Sequence, residues 1–130
     1  AAACVACYFS TLGRELEHGT CSYDAEQILW KQVNLGIDKP DLLAARAPQP
    51  TLVMLTTHDC FPMSGGRDGW FEASQTFSAH GARENTGLYA SEAPGFHGFT
   101  SVGLDAMHRM FAGHLRRQED PPAHDASGEA

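Results

Sequence analysis

Three short apolar runs along the chain have the length and the residue types of buried strands. They are residues 2–9 (AACVACYF), residues 51–57 (TLVMLTT) and the weaker run at residues 87–91 (GLYAS). Continuous runs of this length, with β-branched and aromatic residues, are typical of strands that are covered on both faces. The pattern therefore predicts three interior strands.

Segments with helical start and stop signals lie between these runs. Asp24, with Gln27 in the capping-box position, predicts a helix that ends at Gly36. Asp38 predicts the start of a second helix, because Pro40 is acceptable in a first helical turn. Both helices would lie between the first and the second strand.

Two longer helices are predicted further along the chain. Ser64 is the expected N-cap of one of them, and Gly81 is its expected stop. Thr100 or Ser101 would cap the last helix, which has a good apolar stripe and runs to about Arg117.

The order of these elements is strand, helices, strand, helix, strand, helix. Alternation of this kind predicts an α/β fold with about three parallel strands and flanking helices, formed by residues 1–117. The strand at 2–9 looks like an interior strand but would stand at the edge of the sheet. Since an open edge exposes unpaired backbone groups, we expect further sequence or another chain to cover it.

Composition and charge narrow the classes of protein that need to be considered. The 130 residues are enough for one modest domain, and no apolar run approaches the roughly 18 residues of a membrane span. The formal net charge of −7 is the wrong sign for a nucleic-acid partner. Residues 118–130 hold four acidic residues and no Lys or Arg, and are predicted to be a disordered acidic tail.

A carboxylate and an imidazole follow two neighbouring strands at the points where those strands end. Asp59 lies just after the run 51–57, and His97 follows the run 87–91 in the segment GFHGF. In parallel sheets, ligand-binding and catalytic residues usually lie beyond the carboxyl ends of the strands. We therefore expect the Asp59 carboxylate to accept from Nδ1 of His97, at roughly 2.6–3.2 Å, which leaves Nε2 free as a base. A surface histidine in a glycine-rich turn is the competing interpretation.

Four neighbours are candidates for lining a substrate pocket around this pair. His58 and Phe61 flank the acid, while Phe96 and Phe99 flank the base and could shield its ring from water. Each of them also has an ordinary explanation as a loop or packing residue.

The four cysteines offer weaker alternatives. Cys4, Cys7, Cys21 and Cys60, together with His58, could be imagined as a zinc site, but their spacing is irregular. Cys60 could be a nucleophile, although it would share the loop of the acid. The favoured interpretation is small buried side chains, with no metal and no organic cofactor.

From about Cys4 to Leu115 the chain resembles the C-terminal half of an α/β-hydrolase, with bacterial acetylxylan esterase-like hydrolases as the closest likeness. The stretches that carry the resemblance are DAEQ (24–27), DLLAARAPQPTLVMLTTHDCFP (41–62) and EAPGFHGFT (92–100). It implies that Asp59 is the acid and His97 the base of a Ser-Asp-His triad, with a small ester or an acylated carbohydrate as substrate and no cofactor.

The resemblance also implies a nucleophile that this sequence lacks. Family triads run in the order nucleophile, acid, base, on a G-x-S-x-G elbow. Ser64 and Ser101 both follow Asp59 and lack the flanking glycines, so the serine is expected upstream of Ala1 and the chain alone should be inactive. The alternatives are a fragment of a prolyl-oligopeptidase-type serine peptidase and a non-catalytic α/β binding module.

Overall fold

A computed structural model describes residues 1–19 and 29–115, with the backbone alone for residues 91–96. Its strands are β1 (Ala3–Ala6), β2 (Thr51–His58) and β3 (Thr86–Phe96). Its helices are α1 (Leu12–His18), α2 (Gln32–Leu35), α3 (Lys39–Ala44), α4 (Met63–Ala79) and α5 (Ser101–His114), and a 3₁₀ turn covers Arg83–Asn85. The tail at 118–130 and the predicted helix start at Asp24 lie outside the described residues.

The three strands form one parallel sheet in the order β1-β2-β3. In register, Ala3 pairs with Thr51, which pairs in turn with Thr86. The predicted α/β class, with a parallel sheet and flanking helices, is therefore confirmed. In the described part of the chain β1 is an edge strand, so the expectation that another segment covers it stays a prediction.

The central strand β2 carries the core, because alternate side chains project to opposite faces of the sheet. Val53 and Leu55 are buried with side chains from β1's loop, α3 and α4; the buried cluster is Phe9, Leu43, Val53, Leu55 and Ala73. Met54 faces the other way, where a Cβ added to Gly103 of α5 would come within 2.5 Å of its terminal methyl group. Helices therefore cover both faces.

The first strand is shorter than its apolar run predicts, and the third is longer. The prediction of 2–9 is wrong at its end, because β1 stops at Ala6 and Cys7 takes a positive φ of 59° that no extended strand allows. The predicted strand 87–91 extends to Phe96, with an irregularity opposite β2 between Thr56 and His58.

Helix α1 is absent from the sequence-based prediction. Thr11 caps it by accepting from the Arg14 backbone N–H, and Gly19 ends it in the left-handed conformation with φ 64°. The residue that α1 buries is Glu15, while Leu16 is exposed. Helix α1 has only seven residues, and the one it buries is charged, so its sequence shows no apolar stripe.

The second and third helices follow their predicted caps. The described part of the 24–36 prediction contains α2, which ends at Gly36 with φ 65° as expected. Asp38 and Asp41 form a reciprocal capping box at α3, with Pro40 in the first turn. The Asp38 carboxylate also accepts from the Leu12 backbone N–H at 2.9 Å, so it serves the starts of two helices.

Helix α4 begins one residue before its predicted cap. Pro62 holds the N-cap position, so the assignment of Ser64 is wrong, and the helix ends just before Gly81, which has φ 65°. Gly66 lies where a Cβ would come within 2.8 Å of the Phe9 carbonyl oxygen. The glycines of this helix therefore permit a close approach to the β1–α1 loop, rather than marking a turn.

Helix α5 begins as predicted, since Thr100 accepts from the Gly103 backbone N–H at 3.1 Å. It ends at His114, and Arg117, its predicted end, lies outside the described residues. Among the described helices, none has both the length and the apolar character needed to cross a membrane.

Candidate functional site

Asp59 lies directly after β2, at the carboxyl end of the sheet. Its side chain is 3% exposed. Oδ2 accepts from the Thr56 hydroxyl at 3.1 Å, and Oδ1 accepts from the Phe61 backbone N–H at 3.1 Å. Both donors belong to the same strand-and-loop segment, so the orientation of the carboxylate is set locally.

His97 lies directly after β3, the neighbouring strand. Its Nδ1 is 3.0 Å from Oδ1 of Asp59, so the contact expected from the sequence is confirmed. With an ionised carboxylate opposite, Nδ1 donates its hydrogen, and Nε2 is left as the acceptor nitrogen. The imidazole is 59% exposed, so the pair joins a buried acid to an accessible base. Their catalytic roles stay a prediction.

The electrostatics of Asp59 favour its charged form. Burial acts to raise the pKa of the carboxyl group, but the hydrogen bonds from His97, the Phe61 N–H and the Thr56 hydroxyl lower it. The net result is a pKa below the ordinary value of 3.8. At neutral pH Asp59 is therefore an acceptor for the imidazole and can stabilise an imidazolium.

Cys7 anchors the loop that carries His97. Its Sγ donates to the Gly98 carbonyl oxygen at 2.9 Å and accepts from the Gly98 backbone N–H at 3.3 Å. Burial, the largest influence, raises the pKa of this thiol, which keeps it protonated as a donor. From the sequence, Cys7 was predicted to be a small buried apolar side chain. No sequence signal marked its role, because Cys7 lies within the strand predicted over residues 2–9, and only the structure ends β1 at Ala6.

Among the predicted pocket residues, Phe61 has the best-defined place. It is buried, its ring centroid lies 6.0 Å from that of His97, and it meets Tyr8 edge to face at 5.7 Å. His58, the last residue of β2, and Phe99, two residues after His97, are both exposed. His58 pairs in register with Phe96, whose side chain lies outside the described part.

A buried ion pair stands behind these rings, and the sequence did not indicate it. Lys39 Nζ forms a salt bridge with Glu15, and both side chains are almost fully buried. The same ammonium lies 4.4 Å from the Tyr8 ring centroid and 4.8 Å from that of Phe61. Such cation–π contacts hold the Tyr8 and Phe61 rings in position. The ion pair therefore supports the Phe61 ring, which lies beside the imidazole of His97.

Within the described residues, Cys4, Cys7 and Cys60 do not come together in one group with His58, as the weaker zinc alternative requires. Cys4 Sγ lies 3.3 Å from Met54 Sδ, Cys7 binds Gly98, and Cys21 is outside the described residues. Cys60 instead joins the acid and the base: one ligand atom each from Asp59, Cys60 and His97 lie within 4.8 Å of one another. Among the described residues, these three side chains form the group of His, Cys, Asp or Glu residues that lie close enough together to hold a metal ion.

No protein-family model, no curated protein and no solved structure matches this chain. What is established is therefore an α/β chain whose parallel sheet places a buried aspartate against an exposed histidine. The hydrolase resemblance remains a prediction.

Proposed function

We propose that this chain supplies the acid and the base of a serine ester hydrolase, similar to acetylxylan esterase-like enzymes. The observation that carries the proposal is the 3.0 Å contact between Nδ1 of His97 and Oδ1 of Asp59. The carboxylate is held by its own loop and covered from water, and the imidazole beside it is open to solvent. This is the arrangement of acid and base that a catalytic triad requires.

In this proposal His97 Nε2 takes the proton of a serine hydroxyl as the serine oxygen attacks the ester carbonyl. The resulting imidazolium returns that proton to the leaving alcohol. Water then attacks the acyl-enzyme in the same way, and His97 again acts as the base. Asp59 holds the ring in the tautomer that presents Nε2 and stabilises its charge, and no metal or organic cofactor takes part.

The serine would come from a segment other than these residues, because the sequence holds no G-x-S-x-G elbow. The triad order places that segment before Asp59. A small ester or an acylated carbohydrate is the proposed substrate class, which rests on the family resemblance. The Phe61 ring, buried beside the imidazole, supplies an apolar wall for the acyl group.

The test uses the natural protein, expressed from its full reading frame, and p-nitrophenyl acetate as substrate. We expect that reading frame to encode a G-x-S-x-G segment before Asp59, and the protein to show measurable turnover. His97→Ala should lower kcat at least about 100-fold, since general acid–base catalysis contributes roughly 10²–10⁴-fold. His80→Ala, at the exposed end of α4, is the matched control and should retain wild-type turnover.

A fluorophosphonate probe gives a second readout that does not depend on the chosen ester. We expect it to label the serine in the wild-type protein and to label it much more slowly in His97→Ala. Wild-type rates of turnover and labelling in His97→Ala would overturn the proposal. The absence of any nucleophile motif in the natural protein would favour the binding-module alternative.

A further inference from the structure

We propose that Asp59, Cys60 and His97 form a site for a soft divalent cation, with Zn²⁺ as the best fit. The three side chains come from two loops at the carboxyl end of the sheet, and one ligand atom of each lies within 4.8 Å of the others. The proposal concerns binding of an ion and does not require that the chain be part of an esterase.

The ligand atoms have the spacing that zinc can close. Bond lengths of roughly 2.0 Å to oxygen and nitrogen and 2.3 Å to sulfur put the ligand atoms of a tetrahedral site about 3.3–3.5 Å apart. The contact between Asp59 and His97 is already 3.0 Å, and the thiol lies within 4.8 Å of both groups. Small side-chain rotations would therefore complete three corners of a tetrahedron.

The kind of ligand selects the metal. A thiolate, an imidazole and a carboxylate form a mixed sulfur, nitrogen and oxygen set that suits Zn²⁺, whereas Mg²⁺ and Ca²⁺ prefer oxygen alone. On binding, the Cys60 thiol would lose its proton to solvent, and the cation would take the place of the hydrogen on His97 Nδ1, which the neutral imidazole would then carry on Nε2. Three protein ligands would leave the fourth position to water.

The surroundings favour a preformed site that an ion can reach. The Thr56 hydroxyl and the Phe61 N–H orient the Asp59 carboxylate, which is the support that metal-ligating carboxylates usually have. Cys60 and His97 are exposed, so a cation can enter from solvent without opening the core. The low exposure of Asp59 then limits competition from water at its oxygens.

A bound zinc ion would occupy the imidazole that the proposed hydrolase uses as its base. The cation would therefore act as a reversible inhibitor of that activity, and a chelator would restore it. Binding and inhibition are separate observables, so a protein without esterase activity can still show the site.

The experiment titrates the metal-stripped protein with Zn²⁺ against a chromophoric chelator, and repeats the titration with Co²⁺, whose spectrum reports thiolate coordination. We expect one ion per chain, a thiolate-to-cobalt charge-transfer band, and no competition from excess Mg²⁺. Cys60→Ala and His97→Ala should each weaken zinc binding at least about 10-fold.

The matched controls are Cys4→Ala and His80→Ala, which remove the same residue types away from the cluster and should keep wild-type affinity. Circular dichroism without metal checks the fold of each variant, and the exposure of Cys60 favours an intact one. Equal zinc affinity in wild type and Cys60→Ala, or a cobalt complex without the thiolate band, would overturn the proposal. Failure of the ester assay alone would overturn only the hydrolase proposal.

Discussion

Two of the pairs of acidic and basic side chains among the described residues differ in how far water can reach them. In the pair between α1 and α3, the side chains of Glu15 and Lys39 are 0% and 6% exposed. In the pair at the sheet edge, Asp59 is 3% exposed while His97 is 59% exposed. In both pairs the carboxylate is buried, so the pairs differ in whether water can reach the basic side chain.

The difference shows which pair offers a nitrogen atom that groups in solution can reach. An ion pair closed on both sides fixes two helices but offers no atom to a ligand, and it is costly to break. A buried acid with an open base orients that base and leaves its outer nitrogen available. The Phe61 ring joins the two regions, since its centroid lies 4.8 Å from Lys39 Nζ and 6.0 Å from the centroid of the His97 ring.

The largest expected effect comes from breaking the closed pair. Glu15→Ala leaves the Lys39 ammonium buried without its carboxylate, and the free energy of unfolding in urea should fall by about 3–5 kcal/mol. The matched control is Glu17→Ala, which breaks the exposed pair with Arg14 and should cost at most about 1 kcal/mol. Equal losses in the two variants would remove the distinction between closed and open pairs.

The next effect tests how tightly the helical side of the molecule is packed. A Cβ at Gly66 would lie 2.6 Å from a Leu55 methyl group and 2.8 Å from the Phe9 carbonyl oxygen. Gly66→Ala should therefore lower the free energy of unfolding by about 1–3 kcal/mol. Gly113→Ala, in the last turn of α5, places its Cβ more than 4 Å from every atom outside the adjacent helix backbone, and should be stabilising by at most about 0.5–1 kcal/mol. A neutral result at Gly66 would contradict the close approach of α4.

The pair of Asp59 and His97 should make the free energy of unfolding depend on pH in the acid range. The pKa of Asp59 is lower in the folded chain than its ordinary 3.8, so its contribution is fully present above the unfolded-state value and disappears as pH falls through the folded value. Asp59→Asn should flatten this acid limb in urea unfolding at a series of pH values. Asp105→Asn, at an exposed position of α5, is the matched substitution and should keep the wild-type slope. The same slope in wild type and Asp59→Asn would show that the carboxylate is not held by its donors.

The smallest effect should come from the anchor of the base loop. Cys7→Ala removes both contacts of Sγ with Gly98 and should cost about 0.5–1.5 kcal/mol in unfolding free energy. Hydrogen exchange of the Gly98 amide should become faster, while Cys4→Ala should leave it unchanged. An unchanged Gly98 amide in Cys7→Ala would mean that the loop is held by other contacts.

Much of the sheet edge could be predicted because its signals are local. The apolar runs placed Asp59 and His97 after two neighbouring strands, and in a parallel arrangement the strand ends meet at one edge, which brings these two residues together. The same runs did not give the correct ends of β1 and β3. The Asp38 cap of α3 was predictable for the same reason, because Lys39 and Asp41 are its sequence neighbours, whereas its contact with Leu12 was not. Helix α1 was not predicted, since a buried Glu15 inverts the apolar pattern by which short helices are recognised.

The alternation of strands and helices, the parallel sheet and the convergence of one aspartate with one histidine were predictable from the residues alone. The packed fold was needed to show that Lys39 pairs with Glu15, that Cys7 holds Gly98, and that Cys60 lies beside the imidazole. These contacts join side chains on different elements, and they depend on rotamers and interatomic distances. Periodicity records which face of an element is buried but not which distant residue it meets there.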